Sequence, residues 1–173
     1  MEGLSAAGEW HALQKLFPDF SGKRVLDLGC GFGWHCRYAA DHGAAAVIGV
    51  DLSEKMLEKA RADTFDGRIH YVRGAMEEVD FPPASFEAVL SSLALHYVEE
   101  LGPVFRRVWD WLAPGGALLC SPASTRSLPP RAPRSGTQAP AVRPSIGLWT
   151  DTSPRAAAPP ASWAAMWSNT TTP

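Results

Sequence analysis

Basic residues do not outnumber acidic ones. Sixteen Lys and Arg against 18 Asp and Glu leave a formal net charge of −2 over 173 residues, so no basic field is present to draw nucleic acid. No apolar run reaches the ~18 residues that a membrane span needs. The opening MEGLSAAGEW has neither the basic nor the apolar region of a secretory leader. Cysteine is scarce: Cys30, Cys36 and Cys120 have neither paired nor zinc-type spacing. They read as small buried side chains, with no metal site and a reducing, cytoplasmic setting expected.

What is present divides unevenly. Residues 1–120 carry 11 Lys and Arg and 17 Asp and Glu, whereas 121–173 carry five Arg, no Lys and one acid, Asp151. The second part also holds 10 of the 15 prolines. Residues 1–121 therefore read as one folded unit and 122–173 as a Pro/Ala/Ser/Thr-rich tail without an apolar period, unable to bury enough surface to offset its ordering entropy.

Within 1–121 the pattern alternates strand and helix. Leu4, Ala7, Trp10, Leu13, Leu16 and Phe17 predict a helix over 4–17. RVLDLG predicts a first strand, apolar on both faces as in a covered parallel sheet. A helix follows from about Gly33, ended by Gly43 at a left-handed cap. AVIGVD is the second strand. Ser53 caps the next helix, whose inner stripe is Met56, Leu57 and Ala60. RIHYVRG and FEAVLSSLAL are the third and fourth strands. Leu101, Val104, Phe105, Val108, Trp109 and Leu112 form an amphipathic stripe, APGG ends that helix, and ALLCS is the fifth strand. This order implies an α/β fold with a doubly wound, mostly parallel sheet and helices on both faces.

The stretch VLDLGCGFGWHC, residues 25–36, carries the chemistry. In such a sheet ligands bind outside the carboxyl ends of the strands, where the strand order reverses. Gly29, Gly31 and Gly33 let a ligand approach the backbone there. Asp51 ends the second strand 18 residues beyond Gly33, where an acid suits the two hydroxyls of a ribose. Two cofactors fit this outline. A dinucleotide fingerprint places its third glycine one residue later, where Trp34 stands. Asp27, beside the loop, would repel a pyrophosphate and attract a cationic amino acid, as S-adenosylmethionine offers.

VLDLGCGFGWHC, VIGVDLSEKMLEKAR, FPPASFEAVLSSLALHYV and WLAPGGALLCS together resemble the class I, seven-stranded, Rossmann-like S-adenosylmethionine-dependent methyltransferases over residues 10–121. The resemblance implies a sheet ordered 3-2-1-4-5, truncated after the fifth strand, and S-adenosyl-L-methionine as cofactor. It implies that Asp27, Gly29, Cys30, Gly31 and Gly33 surround the methionine part and that Asp51 takes the ribose hydroxyls. Leu52 and Met56 then pack near the adenine, with Ala75 and Met76 at its edge. Many relatives have Asp where Ala75 stands, so one hydrogen bond of ~1 kcal/mol is expected to be missing. The segment from Ser92 and Leu93 to His96 lines the methyl side. His96 is the candidate general base, with Tyr97 beside it, and Trp10 and His11 are candidates to close over the cofactor. The acidic run Met76–Asp80 reads as a solvated turn.

The expected activity is methyl transfer to a small-molecule acceptor, with neither nucleic acid nor membrane as partner. The alternatives are a non-catalytic remnant that binds cofactor weakly or not at all, and an NAD(P)-binding oxidoreductase. The tail separates the first two. Shifting the codons of SWAAMWSNTTTP (Ser162–Pro173) back one base allows FLGCDVVKYHHT, and GLWTDTS (Gly147–Ser153) similarly allows WPVDRYF, both like the family's region after strand five. The tail therefore reads as out-of-frame translation, or else as a native Pro/Ala-rich interaction segment. In either case no regular structure is expected after Ser121, which would leave strand five as an open edge.

Overall fold

The computed structural model describes residues 10–121 and 147–150. Its strands are β1 (Arg24–Leu28), β2 (Ala46–Asp51), β3 (Ile69–Arg73), β4 (Phe86–Ser92), β5 (Leu112–Ser121) and β6 (Gly147–Thr150). The helices are α1 (Trp10–Gln14), α2 (Trp34–Asp41), α3 (Glu54–Ala62) and α4 (Leu101–Trp111), with a 3-10 turn at Leu95–Tyr97. Strands β1 to β5 are parallel in the order 3-2-1-4-5, as expected, and β6 adds an antiparallel edge beyond β5.

The first strand explains the layering. Val25, Leu26 and Leu28 are buried, so both faces of β1 must be covered. On one face Val25, Val47 and Leu90 pack with Trp10 and Leu13 of α1, Cys36 and Ala39 of α2, and Leu57 of α3. On the other, Leu26, Ile48, Val89 and Leu118 pack with Val104, Val108 and Trp111 of α4. Side chains alternate along a strand, so Asp27 shares the α2 face with Val25. It is fully buried there.

Local signals set the helix ends. The Ser53 hydroxyl accepts the Met56 N–H at 3.4 Å, capping α3. Gly43, with φ +89°, follows the end of α2. Three expectations are corrected. Met56 is exposed at the start of α3 and leaves the inner stripe to Leu57 and Ala60. On α4 the buried face is Val104, Val108 and Trp111, while Leu101, Phe105 and Trp109 stay more than a third exposed. Packing against Phe81 draws Trp111 inward, with ring centroids 5.2 Å apart. Strand β5 also starts earlier than ALLCS: Leu112 pairs with Phe86, a register shift follows, and Ala117–Ser121 pairs with Ala88–Ser92.

The tail is corrected at one place. Gly147–Thr150 pairs with Ala117–Cys120. Unpaired main-chain groups on β5 supply the partner, and Leu-Trp-Thr is strand-prone. The other tail expectations, and the helix expected over residues 4–9, lie outside the described residues. Among the described residues no helix is long and apolar enough to cross a membrane, and no His/Cys/Asp/Glu group could hold a metal ion.

Candidate functional site

A cavity of about 610 Å³ opens at the carboxyl ends of β1, β2, β3 and β4. Its size falls within the range of small-molecule sites. Gly29 and Gly31 line it from the loop after β1, Asp51 and Leu52 from the end of β2, and Met56 from α3. Ala75 and Met76 enter after β3, and Leu93, Ala94 and Tyr97 after β4. The walls are mainly apolar, with Asp51 and Glu77 as the acids.

Asp51 is fixed from both sides. Its Oδ2 accepts the Gly31 N–H at 2.8 Å and its Oδ1 accepts the Ser53 N–H at 2.8 Å. A carboxylate has about four lone-pair sites, so acceptor capacity remains for a ligand. Three further amides of this loop are also engaged. Gly29 and Cys30 donate to the Val50 carbonyl at 2.8 and 2.9 Å, and Gly33 donates to the Cys30 carbonyl at 2.8 Å. These three amides are thereby turned away from a ligand. The chemistry of the donor set instead suits a nucleoside whose hydroxyls can donate.

The glycines serve different ends. A Cβ on Gly29 would stand 2.2 Å from the Ala94 Cβ, so this glycine admits the turn after β4. A Cβ on Gly33 would stand 2.0 Å from the Tyr71 Oη, and Gly33 has φ +71°. Gly33 is therefore demanded by packing, not by ligand approach, and it does not line the cavity. Tyr71 is held there by Thr64, oxygen to oxygen 2.9 Å, and burial pushes its hydroxyl up to about 12.

Asp27 lies beneath the loop and not in the cavity wall. Its Oδ2 accepts from the Cys36 thiol at 3.3 Å, while no partner reaches its buried Oδ1. Burial pushes its carboxyl up, and the positive field of His35 and the Cys36 hydrogen bond pull it down. Burial also raises the Cys36 thiol, with Cys30 and Asp27 adding to the effect. A buried carboxylate oxygen without a partner is costly unless a cation meets it. This fits the cationic amino-acid end anticipated from the sequence.

The other expected residues are placed as follows. The Cys30 side chain turns inward: its Sγ and that of Cys36 lie 2.9 and 2.8 Å from where a Gly49 Cβ would stand. Ser92 is half-buried, its Oγ 3.2 Å from the Ser121 Oγ. It lines a separate small pocket with Ser91, Leu90, Leu119, Leu13, Phe17 and His35. Leu93 adopts φ +54° and lines the main cavity. His96 is exposed, its ring 4.0 Å from that of Tyr97, and is absent from the cavity wall. Trp10 is buried against Tyr38, centroids 5.0 Å apart, and His11 is exposed. Sequence reasoning passed over Glu77, taken as a solvated turn, and His35, although both stand in quoted motifs. His35 stands in the first turn of α2 and lines the small pocket, not the main cavity.

Residues 26–120 match the family described as "Methyltransferase domain". The chain is similar to an S-adenosylmethionine-dependent methyltransferase from Mesorhizobium loti, with 50% identity and a TM-score of 0.68 over 69% of this chain and 56% of that one. It is 36% identical over 118 residues to a malonyl-[acyl-carrier protein] O-methyltransferase of Enterobacter lignolyticus, covering 68% of this chain and 46% of that protein. A phosphoethanolamine N-methyltransferase 2 of Haemonchus contortus in complex with S-adenosyl-L-methionine matches at 34% identity and a TM-score of 0.60, over 64% of this chain and 26% of that one. The chain thus spans about half the length of the first two proteins.

Proposed function

This chain belongs to the S-adenosylmethionine-dependent methyltransferases, and on that premise we propose that it transfers a methyl group to a small-molecule acceptor. The observation that carries the reading is the pairing of a pinned Asp51 at the cavity with an unpartnered Asp27 oxygen below it. These are two acids with two different tasks. Asp51 would accept from the ribose hydroxyls, and Asp27 would meet the cationic amino-acid end. Leu52 and Met56, with Ala75 and Met76 facing them, would enclose the adenine. Residues 1–121 are the proposed cofactor-binding unit.

When bound, S-adenosylmethionine supplies an electrophilic methyl group on a sulfonium. The chain's own task is to hold donor and acceptor in line and to keep water away, which can account for much of such a rate. Leu93 and Ala94, with Ser92 behind them, form the edge of the site after β4 and would border the acceptor. The acceptor class is supported by relatives named for a carrier-bound malonyl group and for phosphoethanolamine. His96 as general base requires its exposed turn to swing inward from the position described above.

Calorimetric titration with S-adenosyl-L-homocysteine, with NADH as control, tests the reading. Saturable binding of the first alone, lost in Asp51→Ala, is the expected result. No binding to the purified chain would overturn it and favour a non-catalytic remnant.

A further inference from the structure

Among the described residues, two that carry a side chain adopt positive φ: Ala84 at +55° and Leu93 at +54°. This left-handed region crowds a Cβ against the backbone and suits glycine and a few short polar residues. Ala84 is small and buried in the turn before β4, where its N–H donates to the Asp110 carbonyl at 3.0 Å. Leu93 is large, 43% exposed, and lines the main cavity. Gly29 and Gly31 line the same cavity with φ +77° and +52°. Glycine thus fills two left-handed positions of this wall, and leucine stands at another.

The conformation of Leu93 is held from both sides. Its N–H donates to the Ser121 carbonyl at the end of β5, at 2.8 Å. One residue earlier, Ser92 pairs with Ser121 in the β4–β5 register, their hydroxyl oxygens 3.2 Å apart. One residue later, the Ala94 side chain fills the space that a Cβ on Gly29 would need. The 3-10 turn beyond is closed by the Tyr97 N–H on the Ala94 carbonyl at 3.1 Å. Strand end and turn are both fixed, and the single residue between them absorbs the difference. Glycine would relieve the strain there, but it would take the isobutyl group out of the cavity.

We infer that this strain serves the site: the chain gives up folding stability to hold the isobutyl group of Leu93 over the bound cofactor from the β4 side. This rests on the cofactor reading above. The order of the strands orders the cavity. Ala75 and Met76 follow β3, and Asp51 and Leu52 stand at the end of β2, so base and ribose belong on that side of β1. Leu93 follows β4 on the other side of β1, where the rest of the ligand extends past Gly29. An apolar side chain at this point covers the ligand and displaces water from it, which bare backbone cannot do. A left-handed leucine persists only where its surroundings over-determine it, and residues of this kind gather at ligand sites.

The test compares Leu93→Ala, Leu93→Gly and Leu93→Asn in the full chain. Thermal melts without ligand read stability, and calorimetric titration with S-adenosyl-L-homocysteine reads affinity. Alanine removes the isobutyl group and keeps the strain. Glycine and asparagine remove both, asparagine without glycine's added freedom in the unfolded chain. The glycine and asparagine variants are expected to melt about 3 °C or more above the alanine variant. All three are expected to bind S-adenosyl-L-homocysteine about fivefold more weakly than wild type, or worse. A side chain that merely supported the fold would let affinity recover in the two stabilised variants. Such a recovery, or wild-type affinity in the alanine variant, would overturn the inference alone. So would melts in which neither glycine nor asparagine rises above alanine, since no strain would then be stored. Absence of any binding to the wild-type chain would overturn the cofactor reading and this inference with it.

Discussion

Asp51 accepts the Gly31 N–H at 2.8 Å, tying the glycine loop to the end of the neighbouring strand before any ligand arrives. Truncation therefore has two consequences. Asp51→Ala is expected to weaken S-adenosyl-L-homocysteine binding at least tenfold and to lower unfolding stability by about 1–2 kcal/mol, since the Gly31 and Ser53 N–H groups lose their acceptor. Calorimetry and thermal melts check both. An unchanged melt would mean that the carboxylate acts on ligand alone.

Gly33→Ala brings a methyl group to the Tyr71 hydroxyl and places a side chain at φ +71°. The expected cost is about 2–3 kcal/mol by denaturant unfolding. Tyr71→Val in the same chain removes the clash but not the backbone strain, so it should recover part of the loss. A purely additive double mutant would show that the ring is not the obstacle.

Arg24 and Glu87 join the starts of β1 and β4. The Arg24 backbone N–H donates to Glu87 at 2.8 Å, and the guanidinium forks onto the same carboxylate. Burial pushes Glu87 up, but the side-chain and backbone hydrogen bonds from Arg24 win and hold it below the usual range. A carboxyl lowered in the folded state stabilises above its unfolded pKa and loses that contribution as pH falls through the folded one. Glu87→Gln is expected to cost about 1 kcal/mol at pH 7, discounted for partial exposure. The difference from wild type should shrink below pH 4. Urea melts at both pH values decide it.

Asp27 carries the opposite sign. Its carboxyl is raised, so its contribution is fully present below the ordinary carboxylate range and is lost as pH rises through the raised value. Unliganded wild type is expected to lose stability relative to Asp27→Asn as pH climbs from 4 to 8. Saturating S-adenosyl-L-homocysteine should reverse that order for wild type alone. Parallel pH profiles for the two proteins would contradict the buried charge.

Strand β6 is held by its backbone ladder to β5. In an antiparallel pair alternate residues donate, so a proline at one of the neighbouring positions Leu148 and Trp149 must remove a ladder N–H. The more damaging of the two is expected to lower the melting temperature and raise light scattering on heating. Two silent substitutions would show that the ladder adds nothing to the folded chain.

The parallel core was legible because its signals are local. Val25, Leu26 and Leu28 require cover on two faces, and Ser53 caps its helix whatever surrounds it. The face of α4 was only half legible, since Val104–Val108 and Phe105–Trp109 are adjacent stripes of one period. Phe81, distant in sequence, decides between them. Cys30 and Gly33 are legible as loop residues and Asp27 as an acid beside the loop, yet what each faces depends on Gly49, Tyr71 and Cys36 across the sheet. His96 was chosen from its position after β4, and sequence spacing does not encode which way a single 3-10 turn directs an imidazole.

The antiparallel closure of β5 by Gly147–Thr150 has an evolutionary side. A ladder between main chains asks of its newcomer only an extended backbone with free amides, and almost any short strand-prone phrase can satisfy that. The margin of such a sheet is thus a place where new coding sequence can be tried out while the cavity at the strand ends, built from earlier residues, is left untouched.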